Sequence, residues 1–244
     1  MNGLFLRMVF EKTLNEVVDE NYVYARALHY LGIDFFENPH RKLKDICRER
    51  SLDRQKVIKS FYLFDSNQRI SFPELESYPI ELLMEYLKHA HHVFIKEKLP
   101  FIVHLARKWN REEGLKNLLP EFVEDFIRHI YEEEDSTFRY IDLLCKQSDG
   151  SATACFKLMS EFKEYSLISE FEEHQDEDEF GAIRALMDNV QPVTLHDRVL
   201  LSEIRAFDRE MIYHAEIENN IFFPKALALE EQSQKRIKTL STLN

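Results

Sequence analysis

Hydrophobic positions recur at helical spacing along most of the chain, and the pattern becomes longer and more regular beyond residue 80. From there, steps of three and four residues link apolar side chains in four amphipathic stretches. These stretches are roughly 80–109, 118–146, 153–189 and 194–230. The breaks between them contain Gly114, Gly150 and Pro192, residues that commonly interrupt helices. Four such stretches with short connections predict an all-α fold with an up-down four-helix bundle over residues 80–230.

The N-terminal segment has a shorter helical pattern. Helices are predicted over residues 21–31, over 42–50 and after Asp53, which is a suitable N-cap. Gly32 would end the first of these helices. Residues 65–79 contain prolines and serines and no lasting periodicity, so we interpret them as a linker. We therefore expect a small helical N-terminal domain over residues 1–66.

Two predicted bundle helices carry a His–Glu pair on the face that is otherwise apolar. His129 and Glu133 lie four residues apart in the second stretch, and His214 and Glu218 repeat this spacing in the fourth. Residues four apart share one face of a helix, so each pair projects into the bundle. Burying an imidazole and a carboxylate is costly unless something pairs with them. We expect the two pairs to meet in one core.

The other two bundle helices each offer one matching histidine. In the third stretch, His174 shares a face with Leu167 and Phe171. In the first stretch two neighbouring histidines compete. We favour His92, which aligns with an apolar face that continues through Ile95, Leu99, Ile102 and Ala106. The alternative, His91, fits a second face through Met84, Leu87 and Phe94.

These choices give a candidate metal site of four histidines and two glutamates. Its members are His92, His129, Glu133, His174, His214 and Glu218. Imidazoles and carboxylates suit iron, manganese or zinc, and a glutamate can bridge two ions while balancing their charge. A single core histidine is more often hydrogen-bonded than metal-bound, but four helices with this pattern indicate a dinuclear site. Four further histidines, His29, His40, His104 and His196, are interpreted as structural or surface residues. Glu132, Glu134 and Asp135 are expected to face solvent, and Glu177 and Asp178 to lie near the site.

Composition and charge narrow the class of protein. Five glycines in 244 residues disfavour sandwiches, barrels and dinucleotide-binding folds, which use glycine in turns and phosphate loops. A net charge of −12 argues against nucleic acid as a partner. There is no apolar run near the ~20 residues of a membrane span and no N-terminal signal segment. The three cysteines, Cys47, Cys145 and Cys155, form no CxxC pair, which favours reduced thiols. We expect a soluble cytoplasmic protein that binds neither nucleic acid nor membranes.

Several motifs resemble those of a known family. The string HAEIENNIFFP, from His214 to Pro224, looks like the last-helix motif of hemerythrin-like di-iron proteins. More specifically, it resembles the repair-of-iron-centres proteins, which restore iron–sulfur clusters after nitrosative or oxidative damage. The pair His91-His92 is similar to that family's first-helix signature, in which the second histidine is the ligand. The string GIDF at residues 32–35 resembles the small helical domain that precedes the bundle in that family.

The resemblance implies a non-haem di-iron centre with two Fe ions. Glu133 and Glu218 would bridge them, and the terminal ligands would be His92, His129, His174 and His214. It also implies damaged iron–sulfur proteins as partners. We further expect O2 or NO as small ligands, and a second copy of the chain is a candidate partner. The implied function is support of iron–sulfur cluster repair, by iron delivery or nitric oxide handling.

The chain departs from the family pattern at two places. Phe36 and Glu37 stand where family members usually carry adjacent cysteines, which puts any thiol step in doubt. No histidine lies between His104 and His129, so one iron would keep an open position or take Glu112 or Glu113. These departures keep a second function open, that of a hemerythrin-like oxygen or nitric oxide carrier or sensor. A metal-free helical adaptor is disfavoured by the buried His–Glu pattern.

Overall fold

The computed structural model describes residues 8–65, 70–109, 113–176 and 180–242. Every regular element in these ranges is a helix, and the described part of the chain contains no β-strand. This confirms the predicted fold class, an all-α hemerythrin-like bundle with additional N-terminal helices. Among the described helices, none combines the length and the apolar composition that a membrane crossing requires.

The N-terminal segment folds into short helices, close to the predicted positions. They are α1 (Leu14–Glu20), α2 (Val23–Tyr30), α3 (Leu43–Glu49) and α4 (Arg54–Asp65). Helix α1 was not predicted; it begins with a capping box between Thr13 and Glu16. Gly32 follows α2 with a φ of +73°, the left-handed conformation that favours glycine, as predicted for a helix end. The carboxylate of Asp53 accepts a hydrogen bond from the backbone N–H of Gln55 at the start of α4.

Longer helices follow, and three of them contain a π-helical segment. The remaining elements are α5 (Phe72–Glu76), α6 (Ile80–Val93), π1 (Phe94–Lys98), α7 (Leu99–Arg107), α8 (Glu113–Glu133), π2 (Glu134–Phe138), α9 (Arg139–Ser148), α10 (Ala152–Glu161), α11 (Leu167–Asp176), α12 (Gly181–Asp188), α13 (Leu195–Ile217), π3 (Glu218–Phe222) and α14 (Phe223–Thr242). Each π segment continues directly from one α-helix into the next. A π segment adds one residue to a helix and shifts the face that later side chains occupy.

Two sequence-based expectations about these elements were wrong. The expected linker contains helix α5, whose Leu75 is fully buried in the bundle core. The third predicted stretch is not one helix but three, α10 to α12. Phe162 has left the helical conformation at the end of α10, and the side chain of Ser166 accepts a hydrogen bond from the backbone N–H of Ser169 as α11 begins.

The chain forms two compact units. The N-terminal unit comprises Met1–Arg69, Phe101–Glu113 and Asn189–Ala206, and the bundle unit comprises Ile70–Pro100, Gly114–Asp188 and Phe207–Asn244. The N-terminal unit therefore contains two segments that the sequence pattern places with the bundle. In one of these segments, Thr194 and Asp197 form a capping box, because the side chain of each residue accepts a hydrogen bond from the other's backbone N–H.

The bundle unit has a continuous apolar core. Fully buried members include Leu83, Leu87, Phe138, Ile141, Leu167, Ile217, Phe222 and Ala226. An aromatic cluster fills another part of this unit, where the Phe94 and Phe207 rings lie 5.3 Å apart and the Phe126 and Phe207 rings 5.7 Å apart. The candidate polar site lies next to this cluster, since the Phe94 ring is 5.7 Å from the His214 ring.

Candidate metal centre

Six histidine and glutamate side chains line one cavity in the bundle unit. They are His91 from α6, His129 and Glu133 from α8, His174 from α11, His214 from α13 and Glu218 from π3. Five of these six are residues that the sequence pattern selected. The structure therefore brings together His129, Glu133, His174, His214 and Glu218. The first-helix member differs.

His91, and not His92, is the histidine that faces this cavity. His91 is 2% exposed, whereas His92 belongs to the exposed surface of α6. The choice of His92 came from extending the apolar face of Leu99 and Ile102 backwards at α-helical spacing. Segment π1 lies between those residues and the histidines, and it adds one residue to the helix. An extension at purely α-helical spacing therefore ends at position 92, whereas the helix places position 91 on the inner face. The alternative face through Met84, Leu87 and Phe94 stays in register with His91.

One group of donors is His91, His214 and Glu218, all three buried. The Nε2 atoms of the two histidines are 2.9 Å apart, and Nε2 of His214 is also 2.9 Å from Oε1 of Glu218. At most one of two facing ring nitrogens can carry the proton of a hydrogen bond between them. Their convergence with a carboxylate oxygen is the arrangement of three ligands around one cation.

A second group consists of Glu133, His174 and Glu218. Nε2 of His174 lies 2.9 Å from Oε2 of Glu218, and Oε2 of Glu133 lies 3.5 Å from Nε2 of His91. Glu218 is thus shared, with one oxygen facing His214 and the other facing His174. A carboxylate placed in this way can bridge two ions, as a dinuclear centre requires.

The tautomer of His91 is set by a glutamate outside both groups. Nδ1 of His91 lies 2.9 Å from Oε1 of Glu134. An Nδ1–H donated to this carboxylate leaves the lone pair of Nε2 facing the cavity, as in the carboxylate–histidine pairs that orient metal ligands. Glu134, which was expected to face solvent, is partly buried at the start of π2, with its side chain 30% exposed. Its neighbours Glu132 and Asp135 are exposed as expected.

Electrostatics keep His91 neutral and Glu218 ionised. Burial, followed by the nearby His214, lowers the pKa of His91 to about 3. Burial alone would raise the pKa of Glu218, but His214 and His174 hold this pKa well below its usual range. A neutral imidazole and an ionised carboxylate are the protonation states that bind metal ions.

An unpaired carboxylate oxygen in the site fits a bound cation. Oε1 of Glu218 and Nδ1 of His214 are fully buried, and neither forms a hydrogen bond with any described residue. Oε1 is close to Nε2 of His214, but the two atoms do not make a hydrogen bond. Buried polar atoms are nearly always satisfied in folded proteins. A cation between these donors would satisfy the carboxylate oxygen without a hydrogen bond.

The two donor groups differ in their access to solvent. The side chains of His91 and Glu218 are 3% and 2% exposed, whereas those of Glu133 and His174 are 11% and 17% exposed. A second cavity adjoins this more open side and is lined by His129, Glu133 and His174 together with Glu132, Ser136, Thr137, Glu170, Glu173 and Phe223. The opening is therefore polar and acidic. Glu112, Glu177 and Asp178, which the sequence suggested as further contributors, lie outside the described residues, as does the side chain of Glu113.

Fold and site together define a class: an all-α hemerythrin-like bundle with a cluster of histidines and glutamates inside it. Comparison with known proteins agrees. The chain is 24% identical over 169 residues to the iron-sulfur cluster repair protein YtfE of Yersinia pestis. The alignment covers 64% of this chain and 70% of the relative. The same protein from Yersinia pseudotuberculosis is equally similar. No family model matches the chain. The relatives are distant, and they confirm the resemblance to the repair-of-iron-centres family.

Proposed function

We propose that this chain is a di-iron protein that supports repair of iron–sulfur clusters damaged by oxidative or nitrosative stress. The observation that carries the proposal is the position of Glu218, whose two carboxylate oxygens face different histidines inside the bundle. The distant relatives are named for iron–sulfur cluster repair, which supports the choice of iron and of this process. Damaged iron–sulfur proteins are accordingly the proposed partners.

The proposed ligands are the six side chains that line the cavity: His91, His129, Glu133, His174, His214 and Glu218. Imidazole nitrogens and carboxylate oxygens suit iron. Two ionised glutamates would offset half of the charge of two divalent cations, and the neutral His91 adds no positive charge. Two iron ions bound there would supply a redox-active unit that takes up a small diatomic ligand or gives up metal.

The residues of this chain favour exchange of iron on one side of the site. His91 and His214 are enclosed, and the Phe94 ring packs against His214. On the other side, Glu170 and Glu173 line the cavity that adjoins His174. Carboxylates at an opening attract cations and so favour passage of iron. We therefore propose iron delivery through this acidic opening as one route to repair, and binding of NO as the other.

The cysteines bear on the compartment and on the mechanism. Cys47, Cys145 and Cys155 all lie in the described residues and none is in a disulfide, which suits a reducing compartment such as the cytoplasm. Burial raises the pKa of Cys145 to about 12 and also raises that of Cys47. A thiol with a raised pKa is a poor nucleophile. The proposed mechanism therefore uses the bundle site and no thiol step at Cys47 or Cys145.

A repair assay tests this function. The iron-loaded protein is incubated, without oxygen, with an enzyme whose [4Fe–4S] cluster has been damaged by nitric oxide, and recovery of that enzyme's activity and cluster absorption is measured. Wild type and His92→Ala should both restore activity, whereas His91→Ala should not, because only His91 faces the cavity. Equal recovery with all three proteins, or with none, would contradict the proposal.

A second function, an oxygen or nitric oxide carrier or sensor, is favoured by one observation. Phe36 occupies a position where family members usually carry a cysteine, and its ring stacks on His196 at 4.6 Å. A carrier needs no thiol at this place. Reversible oxygen binding with retention of iron, together with failure of the repair assay, would select this alternative.

A further inference from the structure

A second cluster of potential ligands lies in the N-terminal unit, apart from the bundle site. It consists of His29 from α2, Asp34 from the turn after α2 and His104 from α7. Nδ1 of His29 is 3.1 Å and Nε2 of His104 is 2.9 Å from the same carboxylate oxygen, Oδ1 of Asp34. Both histidines were expected to be structural or surface residues. Their convergence on one carboxylate oxygen calls for a chemical explanation.

The local sequence holds Asp34 in place. Gly32 adopts a left-handed conformation, and the backbone N–H groups of Gly32 and Ile33 donate hydrogen bonds to the carbonyl oxygens of His29 and Leu28. This turn brings the chain back alongside the end of α2. Ile33 and Phe35 are both 2% exposed and anchor the residues on either side of Asp34. The guanidinium of Arg50 donates a hydrogen bond to the carbonyl oxygen of Gly32 and secures the turn.

The two imidazole rings are also fixed. The rings of His29 and His104 lie 4.4 Å apart, and the ring of Phe101 lies 5.0 Å from that of His29. Side-chain exposures are 36% for His29, 28% for His104 and 21% for Asp34. The three donors are thus held by packing, while solvent reaches them. A bound ion could keep a water molecule at an additional position.

We propose that His29, Asp34 and His104 bind one divalent transition-metal ion, Zn²⁺ or Fe²⁺, independently of the bundle site. Two imidazoles and one carboxylate form a common set of three protein ligands for either ion. Ligand bonds of about 2.0–2.2 Å at tetrahedral angles separate neighbouring donors by about 3.3 Å. The observed separations of 3.1 Å and 2.9 Å are close to this value, so a small opening of the cluster admits the ion.

The test is a Zn²⁺ titration of the metal-free full-length protein in competition with a chromophoric chelator. Wild type should bind one more equivalent of Zn²⁺ than either His104→Gln or Asp34→Asn. Asp34→Asn is nearly isosteric and removes only the charge and one anionic ligand oxygen. Loss of a direct ligand should weaken this equivalent at least 10- to 100-fold, the range found for residues that merely support ligands. Repeating the titration with anaerobic Fe²⁺ compares the two ions at the same site.

The matched control is His196→Gln. His196 lies in the same unit, but its Nε2 is 3.0 Å from the carbonyl oxygen of Leu105 and it does not belong to the cluster, so the extra equivalent should remain. Helix content measured by circular dichroism identifies variants that fold, and Asp34→Asn decides the question alone if His104→Gln does not fold. Equal stoichiometry and affinity in wild type and folded Asp34→Asn would overturn the proposal and leave a hydrogen-bonded His–Asp–His bridge. Because the readout is the difference made by residues of the N-terminal unit, it does not depend on what the bundle binds.

Discussion

Each unit of the molecule buries a carboxylate to 1% exposure, and the two carboxylates are satisfied in opposite ways. In the N-terminal unit, Asp197 accepts hydrogen bonds from Trp109, from the backbone of Val193 and from both the backbone and the hydroxyl of Thr194. In the bundle unit, Glu218 meets His174 and His214, and its Oε1 has no hydrogen bond with any described residue. Both oxygens of Asp197 therefore have hydrogen-bond donors within the protein, whereas Oε1 of Glu218 has none among the described residues.

This difference in hydrogen bonding distinguishes a structural carboxylate from one that is suited to bind a ligand. Donors that point at both oxygens of Asp197 offset the desolvation of its charge without any further partner. Glu218 is surrounded by groups that themselves have ring nitrogens aimed into the same space. Burial alone therefore does not identify a functional carboxylate. A functional carboxylate is identified by the type of its partners and by whether the remaining polar atoms of those partners are hydrogen-bonded.

The largest effect should follow from Glu218→Gln. This change keeps the size of the side chain but removes the charge and one strong ligand oxygen. Because the carboxylate is shared by both donor groups, both metal positions of the bundle should weaken together. In the His104→Gln background, where the N-terminal cluster does not contribute, iron content should fall from two ions toward zero. Metal analysis after identical anaerobic loading measures this. Retention of two irons with an unchanged visible spectrum would show that Glu218 is no bridge.

Replacement of the first-helix histidines should have a smaller and more selective effect. His91→Ala should weaken the position it shares with His214 first and leave a fraction of chains with one ion. His92→Ala is the control, because its side chain is exposed, and it should keep the wild-type iron content. The opposite result, with loss of iron only in His92→Ala, would show that the register of α6 in the structure is wrong.

Glu134→Gln should have a moderate effect on the same position. The variant can still accept a hydrogen bond from Nδ1 of His91 but loses the charge that makes this imidazole a better ligand. Metal affinity should fall by about 10- to 100-fold, without a change in stoichiometry at saturating iron. Competition with a chelator gives the affinity. Glu124→Gln, at an exposed position on α8, is the control and should match wild type.

Asp197→Asn should leave metal binding unchanged and reduce stability. Burial alone would raise the pKa of Asp197, but the Thr194 and Val193 donors hold it well below its usual range. Such a carboxylate stabilises the fold fully above its unfolded pKa of about 4, and this contribution declines progressively as the pH falls from there through the lowered pKa of the folded state. Loss of the charged acceptor should cost about 1–3 kcal/mol at pH 7. Urea unfolding at pH 7 and at pH 3 should show a smaller difference between variant and wild type at pH 3. An equal difference at both pH values would contradict this account.

The features that could be predicted from the sequence are those that depend on a short stretch of residues. The His–Glu pairs of α8 and α13 were readable because a polar residue on an apolar helical face stands out within one or two turns. The sequence favoured His92 over His91 because π1 changes the period within the helix, and hydrophobic spacing does not reveal a π segment in advance. The end of α10 was missed because the break at Phe162 and the residues after it contain neither glycine nor proline. The cluster of His29, Asp34 and His104 joins segments about 70 residues apart and has no local pattern.

The central claim is that the bundle holds two metal ions through one shared carboxylate. Its most direct test is the iron stoichiometry of folded full-length protein loaded anaerobically, measured with Mössbauer spectroscopy to show whether the ions are coupled, in the His104→Gln background so that the N-terminal cluster does not contribute. The account predicts two irons per chain with the spectrum of a coupled pair. One iron per chain or none, or two irons without coupling, would contradict it.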